Sequence, residues 1–300
     1  MATSELLPRQ ILAPLTRRSD IRGLGQFLSH LAALAITAAL VNLADGSWWL
    51  LLPALWLHGM VLVFLFAPAH ECIHYTAFRS RWLNRLVAIF CGFLLVLPPR
   101  YFRAFHLAHH RYTQDPTRDP ELAQAKPTDR RSYLWHISGI PYWRGQFGTL
   151  WRHARGLVSE PFVATRERAA LVREARLFWL GYGAVVALSV LAGSTAALYY
   201  WVIPALLGQP LLRLYLLAEH TACPEVGDML GNTRTTLSNP LLRWLAWNMP
   251  YHVEHHAAAA VPFHALPALH GLIRERIAVL SPGYVAFHRQ LWREGLSPGA

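Results

Sequence analysis

No lysine or arginine occurs between Arg22 and Arg79, and none between Arg176 and Arg213. Each gap holds two apolar runs: Gly25 to Leu43 and Trp48 to Ala69 in the first, Leu177 to Leu191 and Ala197 to Leu217 in the second. Short polar breaks divide them, at Asp45-Gly46-Ser47 and at Gly193-Ser194-Thr195. A spanning helix needs about 20 mostly apolar residues, so each gap reads as a helical hairpin with a tight turn on the far side. All the positive charge then falls on the near side, and the positive-inside rule puts both termini and the long middle loop in the cytoplasm. Trp48, Trp49, Tyr199, Tyr200 and Trp201 stand where an interfacial aromatic belt would lie.

Composition agrees. The chain is 54% hydrophobic and 15% charged, with a formal net charge of +11; soluble domains carry about 25% charged residues. Binding to nucleic acid would account for the charge but not for the apolar fraction, so no nucleic-acid partner is expected. Disorder is excluded by the same fraction. A fifth apolar run, Leu83 to Leu97, is flanked by Arg79, Arg81, Arg85 and Arg100. If it spanned, everything after it would invert and the charge rule would fail, so it is expected to be interfacial or re-entrant. The first run is not a signal peptide, because no small-residue cleavage pattern ends it. A single lysine, Lys126, beside abundant Arg, Ala and Leu suggests a GC-rich bacterial genome and an inner-membrane location.

Sixteen histidines are the anomaly. Eight fall in three clusters: HECIH at His70 and His74, HLAHH at His106, His109 and His110, and HVEHH at His252, His255 and His256. Residues three and four apart share a helix face, and neutral imidazole is the commonest protein ligand for transition metals. Eight imidazoles are too many for one tetrahedral ion and suit two. The topology brings all three clusters to the cytoplasmic face. His220, at the cytoplasmic end of the last span, offers a ninth imidazole. Glu71 and Glu254 inside the clusters, and Asn232 in the polar stretch before the third, are candidates to orient the imidazoles from behind. His30 and His58 lie within spans, and for His58 an interhelical hydrogen bond is expected rather than ligation. His136, His153, His264, His270 and His288 are read as structural. Cys72, Cys91 and Cys223 are far apart and predict neither a disulfide framework nor a cysteine zinc site.

The expected fold is therefore an all-α integral membrane protein. It has two transmembrane hairpins (four spans), an interfacial helix, and a cytoplasmic helical cap that carries the histidine boxes. Residues 1–24 form an N-terminal segment, 25–270 a single membrane domain and 271–300 a C-terminal tail.

The order of one HxxxH followed by two HxxHH resembles the membrane fatty acid desaturase and hydroxylase family. The likeness runs from about Leu24 to His270 and extends to Asp115-Pro116, Asp119-Pro120, Asn248-Met249-Pro250-Tyr251, Pro262, Leu266 and Pro267. It implies a centre of two iron ions held by His70, His74, His106, His109, His110, His220, His252, His255 and His256, with O2 as co-substrate. Leu216 is a departure, since the family often has an asparagine there that contributes through water. The implied reaction is oxidation of an unactivated C–H bond, giving an alkene, or an alcohol if oxygen is retained, on a membrane lipid or acyl substrate. No flavin, dinucleotide, haem or iron–sulfur pattern is present in the chain, so a separate electron donor is implied, a ferredoxin or small cytochrome with its reductase. The arginine-rich Arg100 to Arg176 loop has two readings: docking of an acidic donor, or topology determination with attraction to anionic lipid. Two rivals use the same residues. HECIH is formally the zinc-protease motif HExxH, which would leave both HxxHH clusters idle. A histidine-rich metal transporter would instead place its sites near the bilayer midplane.

Overall fold

The computed structural model describes residues 6–294. A short amphipathic helix α1 (Arg9–Leu15) leads into α2 (Asp20–Leu43), whose first turn is capped by the Ser19 hydroxyl accepting from Arg22 N–H. The turn through Gly46 reverses the chain into α3 (Trp48–Val63), which packs along α2 and continues after a break at Phe64-Leu65 as α4 (Phe66–His74). Helices α5 (Arg81–Leu95) and α6 (Pro99–Tyr112) follow and meet at 96°. Then come α7 (Arg130–Ile137), α8 (Ile140–Ala154) and the long α9 (Thr165–Leu191). A π-helical turn at Leu198–Val202 opens α10 (Ile203–His220). The described part closes with α11 (Pro240–Leu245), α12 (His252–Ala257), α13 (Leu266–Ile273) and α14 (Tyr284–Glu294). Two short strands, β1 (Thr235–Thr236) and β2 (Leu280–Ser281), pair in parallel and tie the segment before α12 to the segment after α13.

Among the described residues, four helices are long and apolar enough to cross a membrane: Asp20–Leu43, Trp48–His74, Thr165–Leu191 and Leu198–His220. They match the four runs anticipated from sequence. Exposed apolar side chains run along α2 and α9, including Ile36, Val186, Val190 and Leu191. Water is a poor solvent for such a surface and hydrocarbon a good one.

At the centre α3 and α10 approach backbone to backbone, because glycine faces glycine. A Cβ on Gly208 would lie 2.1 Å from the Gly59 carbonyl oxygen, and one on Gly59 2.1 Å from that of Pro204. Small residues at such crossings let membrane helices close to van der Waals contact. Gly208→Ala is therefore expected to push the pair apart and destabilise the protein by about 1–3 kcal/mol. The change should appear as a lower unfolding temperature in detergent. Gly183→Ala, where nothing lies within 4 Å, is the matched control and should not lower it.

The predicted interhelical role of His58 is observed. Its Nε2–H donates to the Tyr200 carbonyl (3.0 Å), which leaves Nδ1 to accept from the Thr37 hydroxyl at 2.7 Å. His30 likewise donates to the Val61 carbonyl at 2.9 Å. Both histidines cross-link spans.

The end of α5 has a distinctive set of partners. Its last carbonyls have no intrahelical donors. Tyr182 OH donates to the Phe93 carbonyl (2.9 Å), Trp201 Nε1–H to Leu94 (2.8 Å) and Tyr142 OH to Leu95 (2.9 Å). These donors come from α9, the π-helical turn and α8. Trp201 was expected in an interfacial belt, but its indole N–H is committed to the end of α5. Beyond it the chain turns through Val96, a β-branched residue at φ 55°, a costly conformation held by the surrounding packing.

Described residues after 270 pack on the rest of the chain. Phe287 and Leu291 of α14 are buried against Tyr133, Leu217 and Ala218.

Candidate metal centre

Two of the helices that carry candidate ligands, α4 and α10, have ends held from outside. At the end of α4 the Arg103 guanidinium donates to the Ile73 carbonyl and lies over the Tyr75 ring. At the end of α10 the carbonyls receive cations, as a helix C-terminus favours. Lys126 Nζ and Gln114 Nε2 donate to the His220 carbonyl at 3.2 and 2.7 Å, and Arg234 donates to Ala218 and Thr221 at 2.7 Å each. The one lysine of the sequence thus positions a candidate ligand. Residues with positive φ punctuate the same region: Tyr75 after the first box, Gln114 after the second, Ala222 after His220, and Trp247 and Asn248 before the third.

The imidazoles converge in two groups. His70, His74, His106, His110 and His255 form one, and His109, His220 and His256 the other. Within each group the candidate ligand atoms lie within 4.8 Å of one another. His106 Nε2 is 2.6 Å from His70 Nε2 and 2.9 Å from His110 Nε2, and His110 Nε2 is 3.1 Å from His255 Nε2. His220 Nε2 is 3.1 Å from His109 Nε2 and 3.0 Å from His252 Nε2. His252 therefore borders the second group. The rings of His110 and His256, one from each group, stack at 4.0 Å.

These contacts contain too few protons to be ordinary hydrogen bonds. A neutral imidazole has one N–H, yet His220 Nε2 meets two other Nε2 atoms. Nitrogens bound at about 2.1 Å and at right angles to one ion would sit about 3 Å apart, close to what is seen. Two tautomers are fixed from behind. The Asp119 carboxylate accepts from His109 Nδ1–H at 2.9 Å. Thr113 has spent its hydroxyl proton on the His109 carbonyl (2.7 Å), so it accepts from His256 Nδ1–H at 3.3 Å. The Nε2 lone pairs of both rings are left facing the centre, and the buried Nε2 atoms of His74 and His256 have no hydrogen-bond partner. Burial, reinforced by neighbouring imidazoles, holds the pKa values of His252, His255 and His256 well below the usual histidine range, so these rings are neutral at pH 7 and available as ligands. The residues present fit two transition-metal ions.

The three residues expected behind the imidazoles take other partners. Glu71 accepts from the Thr76 hydroxyl (2.7 Å) and from Phe263 N–H (3.3 Å), joining the first box to the chain after the third. Glu254 accepts from the Thr235 hydroxyl and from His270 Nδ1–H, so it anchors α12 to β1 and α13. Asn232 donates to the carbonyls of Thr113 and Val226 at 3.2 and 2.8 Å. His264 faces Arg22, His153 faces Glu160, and His288 joins Tyr133 to the Leu214 carbonyl. Two carboxylates were not assigned a role from sequence. Asp119 lay in a flagged Asp-Pro pair, but its reach to His109 depends on the turn after α6. Glu121, two residues on, brings Oε2 to 3.3 Å from His109 Nε2.

A cavity of about 790 Å³ opens beside the centre. His70, His106, His109, His220 and His252 line it together with Phe64, Phe66, Leu97, Phe102, Leu216 and Met249, while Arg118, Arg152 and Gln146 are among its polar residues.

The fatty acid desaturase family model matches residues 46–289. The chain belongs to that family. Curated relatives agree. An sn-1 oleoyl-lipid 12-desaturase of Picosynechococcus is 25% identical over 82% of this chain and 75% of its own length. A dihydrorhizobitoxine desaturase of Bradyrhizobium elkanii is 29% identical over 79% and 70%. A sphingolipid delta(4)-desaturase/C4-monooxygenase of Rattus norvegicus is 27% identical over 82% and 72%. The protein is an oxidoreductase of the desaturase type, and its apolar helices and histidine clusters are those of a membrane desaturase.

Proposed function

We propose that this desaturase introduces a double bond into a fatty acyl chain carried by a membrane lipid. The observation that carries the reading is the cavity whose walls are apolar side chains on one part and, on another, four box imidazoles with His220. Apolar pockets with a few convergent polar groups are what small-molecule sites look like. His70, His74, His106, His110 and His255 would hold one iron, and His109, His220 and His256, with His252 beside them, the other. Iron bound there supplies, with O2 and two external electrons, the oxidising power for an unactivated C–H bond, which no side chain can provide. The chain's own part is to fix the acyl carbon against the imidazole-lined wall, to exclude water with Phe64, Phe66 and Phe102, and to hold the ligand tautomers through Asp119 and Thr113. Electrons come from a separate ferredoxin or small cytochrome.

The topology proposed is two transmembrane hairpins with both termini and the centre cytoplasmic, in a bacterial inner membrane. Residues 83–97 are re-entrant. What supports this is the end of α5, since a helix stopping inside hydrocarbon must have its carbonyls satisfied by protein, and three are.

The name of the rat relative couples desaturation to monooxygenation, so hydroxylation is the second reading. Co-expression with an electron donor and mass spectrometry of lipids decides between them. A loss of two mass units is expected, a gain of sixteen marks hydroxylation, and unchanged lipids with a turned-over soluble compound would sink the lipid reading.

A further inference from the structure

A second cavity lies beside the first and shares part of its wall. It is a groove of about 680 Å³ between α3, α10, α11 and α14, lined almost wholly by apolar atoms. Phe64 and Tyr215 line this groove and also the cavity at the metal centre. Both residues are buried, and their rings meet edge to face at 5.3 Å. Two aromatic rings therefore stand between the two spaces. Phe64 lies at the break between α3 and α4, and element-terminal positions of this kind are where hinges absorb backbone change.

The outer rim of the groove has the chemistry of a lipid surface. Phe287 and Leu291 turn one face of α14 into the protein, while Val285 and Trp292 are exposed at the groove. Arg289 and Arg293, one turn apart, are exposed beside them. Apolar side chains and arginines together on one amphipathic helix suit a membrane interface, where each arginine is drawn to anionic lipid. The groove starts on spanning helices, at Met60 and Leu211, and ends at Tyr215. An acyl chain carried by a membrane lipid has its headgroup anchored at the interface. It must reach the centre without passing through water, which penalises every methylene. Arg118, Arg152 and Gln146 make another part of the first cavity polar, whereas the groove is apolar along its length.

We propose that the groove under α14 is the lateral entrance for the acyl chain of an anionic membrane phospholipid. Arg289 and Arg293 hold the phosphate at the rim, the chain lies along Leu211 and Leu214, and the Phe64 and Tyr215 rings part to admit it to the cavity. The proposal rests on the membrane-lipid reading above and adds to it the route and the headgroup class.

The test is photolabelling rather than turnover. Full-length protein is placed in vesicles of phosphatidylethanolamine and phosphatidylglycerol, doped with a phosphatidylglycerol that carries a diazirine midway along one acyl chain. After irradiation, labelled residues are mapped by mass spectrometry. Label is expected in the groove, at Leu211, Leu214 or Tyr284, and in the cavity, at Phe102 or Met249. A diacylglycerol with the same diazirine but no phosphate should label the groove about tenfold less, the order expected for two arginines facing anionic lipid. Arg289→Gln combined with Arg293→Gln should remove that preference. Leu214→Trp, which fills the groove, should cut the cavity label about tenfold with iron per chain unchanged. The arginine variants are on the surface and decide the matter if Leu214→Trp fails to fold. Equal labelling by the two lipids in wild type would overturn the headgroup assignment. Groove label without cavity label would mean a surface lipid only, and cavity label that survives in folded Leu214→Trp would mean another entrance; either overturns the proposal. Cavity label with none in the groove would overturn it too and leave the lipid reading standing. No label in either space would overturn the lipid reading, and this proposal with it.

Discussion

His255→Ala is expected to abolish activity and to lose iron while the protein still inserts in the membrane. His255 is fully buried, its Nε2 lies 3.1 Å from His110 Nε2, and its ring stands 4.6 Å from that of His70 and 4.7 Å from that of His74. Removing it takes one nitrogen from the larger group and leaves the others around a void. The loss should exceed the roughly 10–100-fold that outer partners of a metal ligand are worth. His109→Ala should do the same from the smaller group. Iron per chain, lipid product and membrane fractionation are the measurements. Retained activity in either variant would mean that the ligand set is wrong.

The second large effect is expected at Asp119. Its carboxylate is buried and accepts from three donors: His109 Nδ1–H, Gln114 N–H and Glu121 N–H. In Asp119→Asn one oxygen becomes an NH2 group, which must face a donor and cannot accept from it. The His109 tautomer is then no longer fixed, and the turn carrying Glu121 loosens. Iron affinity should fall by about 10–100-fold, with turnover restored in part by excess ferrous iron. A merely structural role would instead lower the unfolding temperature without changing iron affinity. Asp115→Asn, in the preceding Asp-Pro pair, is the comparison. That carboxylate bonds Thr117 and Arg118 away from the imidazoles, so iron affinity should not change.

Much of the architecture could be read along the chain because the relevant physics is local. A stretch of about 20 apolar residues has to leave water wherever it lies, and arginine has to stay out of hydrocarbon. The four long apolar helices follow from these two facts. The histidine boxes were legible for a related reason, since spacing of three and four on a helix gathers side chains on one face whatever the helix packs against.

The partners behind the imidazoles were not legible. Glu71 and Glu254 are neighbours of box histidines in sequence, but on a helix adjacent residues point apart. Their carboxylates accordingly reach Thr76 and Phe263, and Thr235 and His270. Asp119 is ten residues from His109 and reaches it because the chain turns back after α6. Trp201 is a belt candidate by position in sequence, and only the packing shows that its indole N–H donates to the Leu94 carbonyl at the end of α5.

The sequence by itself determined which segments are apolar enough to span, where along the chain the basic residues fall, and which histidines share a helix face, because each depends on composition and spacing within one helical stretch. The tertiary structure decided how those imidazoles divide into five and three with His252 at the edge of the smaller group, which carboxylates stand behind and beside them, and where α5 ends. These depend on contacts between segments as far apart as His110 and His255, which lie 145 positions apart. No local pattern encodes them, and the packing of α3 against α10 and the turns around α6 and α12 do.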